Sequence, residues 1–351
     1  MARRLSSVCR ASSDTRRMRA LVCKDWKPFD ELEIGDLPVP EMRAGAVRIR
    51  IDVCGISFAT GLVVQGRYQR KPPRPFAPGT EIVGVITECA ADVDRFQVGD
   101  RVMAFIDWGG AAEEAVVWAG QVYPVPDGLG DAEATPLLSS YGTSYGALIE
   151  RAELKAGQTV LIHGAGGGVG LAAVEIARDR GATVIARAGT PEKRDWLRNR
   201  GADHVLDSRE PDFRTAVLDL TNGRGVNVVY DQLGGDVFHQ SLRCMDLGGR
   251  LLTIGYAAGE IPQLGVNLLL LKNATVMGFN WGTYWGWTPT DERVRLTPER
   301  DRVMAGLNDL WSRGAISPKI HATYPLSEYR ALWAEIAGRR AVGRVALLPQ
   351  V

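Results

Sequence analysis

Thr159-Val160-Leu161-Ile162-His163-Gly164-Ala165-Gly166-Gly167-Gly168-Val169-Gly170-Leu171-Ala172-Ala173-Val174-Glu175-Ile176-Ala177-Arg178 is the stretch that decides the fold. Its first five residues have the pattern of a buried strand, and Leu171–Arg178 has that of a helix. Ala182-Thr183-Val184-Ile185-Ala186 follows as a second strand. A strand, a glycine-rich turn, a helix and a strand make a dinucleotide-binding unit. Glycine is needed because a pyrophosphate must reach the backbone N–H groups at the helix N-terminus. Read from Ala165 the pattern is A-x-G-x-x-G, so Ala165, Gly166, Gly167, Gly168, Val169 and Gly170 are the candidate phosphate contacts. The competing reading is a tight turn with close helix–strand packing.

The end of the second strand chooses the cofactor. An NAD site places an acid about 20 residues after the glycines to hold the ribose hydroxyls. Here the chain runs Ala186-Arg187-Ala188-Gly189-Thr190, with no acid until Glu192. Arg187, Thr190, Lys193 and Arg209 supply charge and hydrogen bonds for a 2′-phosphate instead, so NADPH is expected over NADH. The plain alternative for Arg187 and Lys193 is a solvated surface.

Further α/β units follow at Gly201–Asp207, Gly225–Asp231, Gly248–Gly255 and Ala274–Gly278. Ligands of open parallel sheets lie beyond the carboxyl ends of the strands. That puts Gln232, Gly255, Tyr256, Phe279, Asn280 and Trp281 along the cofactor's path. Before this half, Met18 to Tyr123 reads as short strands with turn punctuation, as in the alternating Ala46–Val53. Ser139 to Leu154 has helical spacing. After about Glu292 come helices at Arg302–Trp311 and Ser327–Ala337 and a strand at Arg344–Leu348, expected to return and complete the β-rich half.

The composition bounds the function. The chain has 351 residues, 45% hydrophobic and 24% charged, with a formal net charge of +1, so it is a folded globular protein without a basic surface for nucleic acid. No apolar run approaches the roughly 18 residues of a membrane span. Five scattered cysteines make neither a disulfide framework nor a thiolate zinc site, and a cytoplasmic setting is expected. Residues 1–17 hold five arginines and one acid. They are either a disordered tail, an over-long start or an organellar transit peptide. The excess of glycine, 40 residues, has no G-X-Y period and falls at turns and close approaches.

With CGISF at 54–58, PGTEIVG at 78–84, GDRVMAF at 99–105, YGTSYGAL at 141–148, HGAGGGVG at 163–170, VVYDQLGG at 228–235, GGRLLTIG at 248–255 and AVGRVAL at 341–347, the sequence resembles the medium-chain dehydrogenase/reductases. Within them it resembles the zinc-free quinone oxidoreductase (zeta-crystallin-like) branch. The resemblance implies an α/β fold: a doubly wound Rossmann sheet, residues 139–279, and a GroES-like β-rich catalytic domain split between 18–138 and 280–351. It adds Thr143 and Arg344 as candidate cofactor contacts and implies a homodimer, in which the apolar run Val266–Leu271 would cover a sheet edge. Ser57 and Thr80 stand where the zinc alcohol dehydrogenases have a ligand Cys and His, and the structural zinc loop has no counterpart, so no metal is expected. Thr60 and Ser208 stand where this branch often has Asp and Tyr, and Arg187 is unusual for its position.

The implied chemistry is hydride transfer from NADPH to a small planar or apolar acceptor, a quinone or an α,β-unsaturated carbonyl. Hydrogen bonds from Ser57, Tyr68 or Thr143 would polarise it, no residue being assigned as nucleophile or proton donor. For Tyr68 the alternative is an aromatic packed under a loop. Trp281-Gly282-Thr283-Tyr284-Trp285-Gly286-Trp287 reads as a flexible aromatic rim over the cleft, with Trp281, Tyr284, Trp285 and Trp287 facing the acceptor, or else as a core or interface cluster. An enoyl-thioester reductase is the enzymatic alternative, and a non-catalytic NADPH-binding or structural protein the alternative of another class.

Overall fold

The computed structural model describes residues 16–351. The transit-peptide reading falls almost wholly outside them, and Arg17 already begins the first strand. That strand, β1 (Arg17–Val22), pairs antiparallel with β2 (Glu33–Pro38). Then come β3 (Ala46–Ile56), helix α1 (Phe58–Val64), β4 (Glu81–Cys89), β5 (Arg101–Phe105), β6 (Glu114–Trp118) and β7 (Val122–Pro124). The alternation seen in the sequence sets the orientation of β3: Val47, Ile49, Ile51 and Val53 are buried, while Arg50 is exposed. Gly84 of β4 lies so close to the Arg50 carbonyl group that a side chain there would collide with it, beside a register shift in the β3–β4 pairing.

The expected helix at Ser139–Leu154 belongs to a longer helical run. It begins with α2 (Asp131–Pro136), passes through a π-helical turn at Leu137–Tyr141 and α3 (Gly142–Tyr145), and ends in a second π turn at Gly146–Arg151. Pro136 lies within it and lacks an N–H donor.

The second sheet starts at β8 (Thr159–Ile162) and continues through α4 (Gly168–Asp179), β9 (Thr183–Ala188), α5 (Pro191–Asn199), β10 (His204–Asp207), α6 (Arg214–Leu220), β11 (Val226–Asp231), α7 (Asp236–Arg243), β12 (Met245–Thr253), α8 (Asn267–Lys272) and β13 (Thr275–Gly278). All its pairings are parallel and the order is β10-β9-β8-β11-β12-β13. The order reverses between β8 and β11, and that switch point opens the crevice beside the glycine turn. Both faces are covered. Val160, Ile162, Val184 and Ala186 pack with the α4 side, whereas Leu161, Ile185 and Val229 pack with Phe213, Val217 and Phe238 on the other.

The chain then returns. Helix α9 (Thr297–Ser312) packs on α3, and β14 (Ile320–Pro325), α10 (Tyr329–Ala337) and β15 (Arg344–Leu348) join the first sheet, β15 running antiparallel to β3. The β14-β15-β3-β4-β5-β7 path is therefore completed by the tail. The turn before β15 touches the glycine turn: Gly343 N donates to Gly166 O at 3.2 Å. The β-rich half thus meets the parallel sheet where a dinucleotide would lie.

Candidate functional site

The glycine turn is held by backbone bonds. Gly164 takes a positive φ of 62°, Gly167 N donates to Gly164 O at 3.1 Å, and Ala165 N donates to Arg187 O at 2.9 Å. The Gln232 amide donates to His163 O and Gly164 O at 2.9 and 3.0 Å, so it braces the turn. The glycines differ in what surrounds them. A Cβ on Gly170 would lie 2.5 Å from Gly164 O and 2.7 Å from Ala165 Cα, so that position serves helix–strand packing. Gly167, the residue before α4, has only Gly164 O nearby, at 3.6 Å from a Cβ. Gly166 and Gly168 are covered by Lys193 and Arg344: a Cβ would lie 2.8 Å from Lys193 Cδ and 2.7 Å from Arg344 Cγ.

Two cations therefore lie across the N-terminus of α4, whose free N–H groups favour an anion. Lys193 Nζ donates to Arg339 O at 2.6 Å, and burial, with the Arg339 charge, holds its pKa below the ordinary lysine value. Arg344 is ion-paired with Glu81, and its Nε is buried without a partner. Ser140 Oγ is also buried without a partner, 3.0 Å from the Cβ position of Gly168. An uncovered Gly167, two unsatisfied donors and a helix N-terminus converge on one place. This donor set fits a dinucleotide pyrophosphate.

Arg187 does not belong to that set. Successive residues of a strand face opposite ways, so Ala186 and Ala188 face α4 and Arg187 faces the other side with Ile185. Its side chain is 2% exposed, lies over the Phe213 ring at 3.9 Å, and donates to Glu210 O at 3.1 Å. Burial pushes its pKa down to about 10. Its Nη1 lies 3.3 Å from His163 Nδ1. Ser241 Oγ donates to Val237 O at 2.7 Å, so His163 Nε2–H donates to Ser241 Oγ at 2.8 Å, and Nδ1 accepts from Arg187. His163 is thus neutral, held well below its usual pKa by burial and the Arg187 charge. The expectation that Arg187 reaches a 2′-phosphate is corrected: its guanidinium is buried on the face of β9 away from α4, with Nη1 and Nη2 bonded there and Nε without a partner.

Just beyond the carboxyl end of β9, Thr190 caps α5 by accepting from Lys193 N at 3.3 Å. Arg209 is exposed but clasps Asp207 through Nε at 3.0 and 3.1 Å, and Arg194 pairs with the same carboxylate at 2.8 Å. Ser144 Oγ donates to Val169 O at 2.7 Å, fixing the helical run against α4 one residue after the half-buried Thr143. A Cβ on Gly255 would have only Gln232 O nearby, at 3.6 Å, and Tyr256 is exposed. Asn280 Oδ1 accepts from Gly282 N at 3.0 Å.

The aromatic stretch is the second correction. Residues Trp281–Trp285 form a 3-10 turn, and Trp281, Trp285 and Trp287 are 3%, 0% and 8% exposed. Phe279 stacks with Trp281, whose Nε1 donates to Leu138 O at 2.7 Å. Trp285 and Trp287 pack on Phe105, at ring distances of 5.2 and 4.6 Å. Tyr284 stays half-buried. The stretch is a packed wedge from the helical run to β5, because its large apolar rings find partners on both sides. It is not a loose rim.

Ser57 caps α1 and forms a reciprocal pair with Thr60: Thr60 N donates to Ser57 Oγ at 3.4 Å and Ser57 N donates to Thr60 Oγ1 at 3.2 Å. Tyr68 is half-buried, and burial pushes its phenol pKa up. Among the described residues no three His, Cys, Asp or Glu side chains are grouped to hold a metal ion. Sequence reasoning missed Ser140, Glu81, Asp107 and the fully buried Arg300, which donates to Tyr123 Oη at 2.9 Å and Tyr284 O at 3.0 Å.

A parallel sheet with a cation-flanked glycine turn, closed by a split β-rich half, defines a two-domain dinucleotide-binding protein. Residues 43–127 match the family described as alcohol dehydrogenase GroES-like domain, and residues 168–295 that described as zinc-binding dehydrogenase. Quinone oxidoreductase-like protein 2 of Rattus norvegicus is 35% identical over 346 residues, covering 97% of this chain and 95% of that protein. A probable oxidoreductase from Mycobacterium abscessus superposes with a TM-score of 0.84 at 33% identity, over 95% of this chain and all (100%) of that one. A mycobacterial protein complexed with NADPH gives 0.85 at 29% identity, with the same coverages of 95% and 100%. The chain belongs to the medium-chain dehydrogenase/reductase family, in its quinone oxidoreductase branch.

Proposed function

We propose that this protein is an NADPH-dependent oxidoreductase that reduces a quinone or an α,β-unsaturated carbonyl without a metal. The observation that carries the reading is the glycine turn at Gly164–Gly170, with Lys193 and Arg344 laid across it and unpartnered donors of Ser140 and Arg344 beside Gly168. The similar mycobacterial protein complexed with NADPH supports the choice of dinucleotide. NADPH, when bound, supplies a hydride from the nicotinamide. The chain's own residues bind, orient and exclude water. Gly166–Gly168 and the first turn of α4 take the pyrophosphate, and Lys193, Thr190 and Arg209 face the 2′-phosphate. The acceptor is taken on the side of the β-rich half, with Ser57, Tyr68 and Thr143 as the hydroxyls that would polarise it.

Independence from metal rests on the donor set. Ser57 offers a capping hydroxyl and Thr80 a second hydroxyl where the related zinc enzymes use thiolate and imidazole, and neither is a good zinc ligand. We also propose a homodimer through the free edge of β13, where Val266, Leu270 and Leu271 are each more than 70% exposed.

The test is NADPH and NADH oxidation by chelator-treated enzyme against a naphthoquinone, an enone and an enoyl thioester. Turnover of the quinone or enone with a preference for NADPH is expected. Turnover of the thioester alone would move the substrate class, and tight NADPH binding with no turnover would point to a non-catalytic role.

A further inference from the structure

The aromatic wedge is fixed by one carboxylate. Asp107, in the connection after β5, accepts from Trp287 Nε1 at 3.1 Å, from Arg70 Nη2 at 2.8 Å and from Arg293 Nη2 at 3.1 Å. Arg70 also donates to Gly286 O at 2.5 Å, and Arg293 Nη1 donates to Gln121 Oε1 at 2.9 Å. Three segments distant in sequence meet on this side chain. The first follows α1 and carries Tyr68, the second carries Phe105, and the third is the stretch from Trp281 to Arg293. Asp107 is half-buried, and of the two guanidinium groups on it Arg293 also pairs with Asp291 at 2.8 Å, whereas Arg70 has Asp107 as its one carboxylate partner among the described residues.

We propose that Asp107 is a positioning residue that sets the shape of the acceptor pocket, by locking the Tyr68 segment and the Trp281–Trp287 wedge into one fixed relation. The proposal rests on the acceptor reading above. Asp107 touches neither acceptor nor cofactor; it acts through the wall it holds. With the clamp in place the wedge stays packed and the pocket selects flat, small acceptors. Without its charge, Arg70 loses its carboxylate partner and Arg293 keeps only Asp291, so the two walls are no longer tied through one side chain.

The variant is Asp107→Asn, which keeps the shape and removes the charge; Trp287→Phe, which deletes one bond, is the second. Hydrogen exchange should quicken in 66–74 and 281–293 together. The KM for a small naphthoquinone should rise about tenfold with kcat within about twofold, because ground-state fit is lost and not the chemistry. The preference for small over bulky quinones should shrink by a similar factor, and NADPH Kd should stay unchanged. A lowered Tm with unchanged quinone selectivity, or an NADPH Kd that shifts as much as KM, overturns the proposal. If the unsubstituted enzyme reduces nothing, the functional reading fails separately. The clamp is then decided by titrating the same naphthoquinone into the NADPH complex, followed by tryptophan emission: about tenfold weaker binding to Asp107→Asn supports it and unchanged binding overturns it.

Discussion

Two glycines three residues apart separate packing from binding. At Gly170 an added methyl sits 2.5 Å from Gly164 O, about 0.9 Å inside ordinary contact, and 2.7 Å from Ala165 Cα. Both neighbours are backbone, so neither can rotate away. Alanine gains about 1 kcal/mol of helix propensity over glycine, but overpacking costs about 1–3 kcal/mol and here displaces the turn itself. Gly170→Ala should therefore lower the Tm of the cofactor-free protein, by about 2–4 °C per net kcal/mol for a domain of this size. At Gly167 a methyl meets nothing closer than 3.6 Å and φ is −91°, so alanine fits the fold sterically, with a loss of roughly 0.5–1 kcal/mol at the cap. It stands, however, where the pyrophosphate is proposed to approach. Gly167→Ala should weaken NADPH binding by about 10–100-fold, or roughly 1.4–2.7 kcal/mol, with Tm lowered by no more than about 4 °C. Differential scanning fluorimetry without cofactor and fluorescence titration with NADPH read the two effects. Unweakened NADPH binding by Gly167→Ala, or an unchanged Tm for Gly170→Ala, would refute the assignment of the glycines.

Lys193→Ala should weaken NADPH by about tenfold and NADH by less, since both carry the pyrophosphate beside which Lys193 lies and only the former carries the 2′-phosphate. Arg187→Met should change NADPH Kd by less than about threefold, its guanidinium being buried; the same titrations decide both. Folded His163 stays neutral while the unfolded chain takes up a proton below about pH 6.5, so its contribution is present above that pH and is lost as pH falls, at up to about 1.4 kcal/mol per pH unit. The fall in Tm between about pH 7 and about pH 5 should accordingly be shallower in His163→Gln than in the unsubstituted protein, and an equal slope counts against the buried neutral imidazole. Leu271→Glu should convert the proposed dimer to monomer on light scattering; a dimer that persists in the variant places the interface elsewhere.

What could be read from the sequence was what depends on near neighbours. The β8–α4–β9 unit and its glycine turn are local, and the alternation of β3 states its buried face outright. Arg187 was misplaced although the signal was present, because the parity of β9 already sends it away from α4 with Ile185. The choice between rim and core for the wedge stayed open for the opposite reason. The partners of Trp285 and Trp287, Phe105 and Asp107, lie far back in the chain, and spacing within 281–287 says nothing of them. Arg300 was hidden in Glu299-Arg300-Asp301-Arg302, a run that resembles a solvated face, yet it is buried against Trp285, 4.8 Å from the ring centre. Ser140 stood inside a helical stretch with nothing to mark it, until the fold brought it beside Gly168.

The most direct measurement follows the hydride itself. Chelator-treated enzyme is given NADPH deuterated at C4 and an enone in ordinary water, and the saturated ketone is examined by mass spectrometry and NMR. The account predicts one deuterium per turnover at the β-carbon, with a rate unchanged by the chelator. A product free of deuterium, or activity that disappears with chelation and returns with zinc, would contradict it.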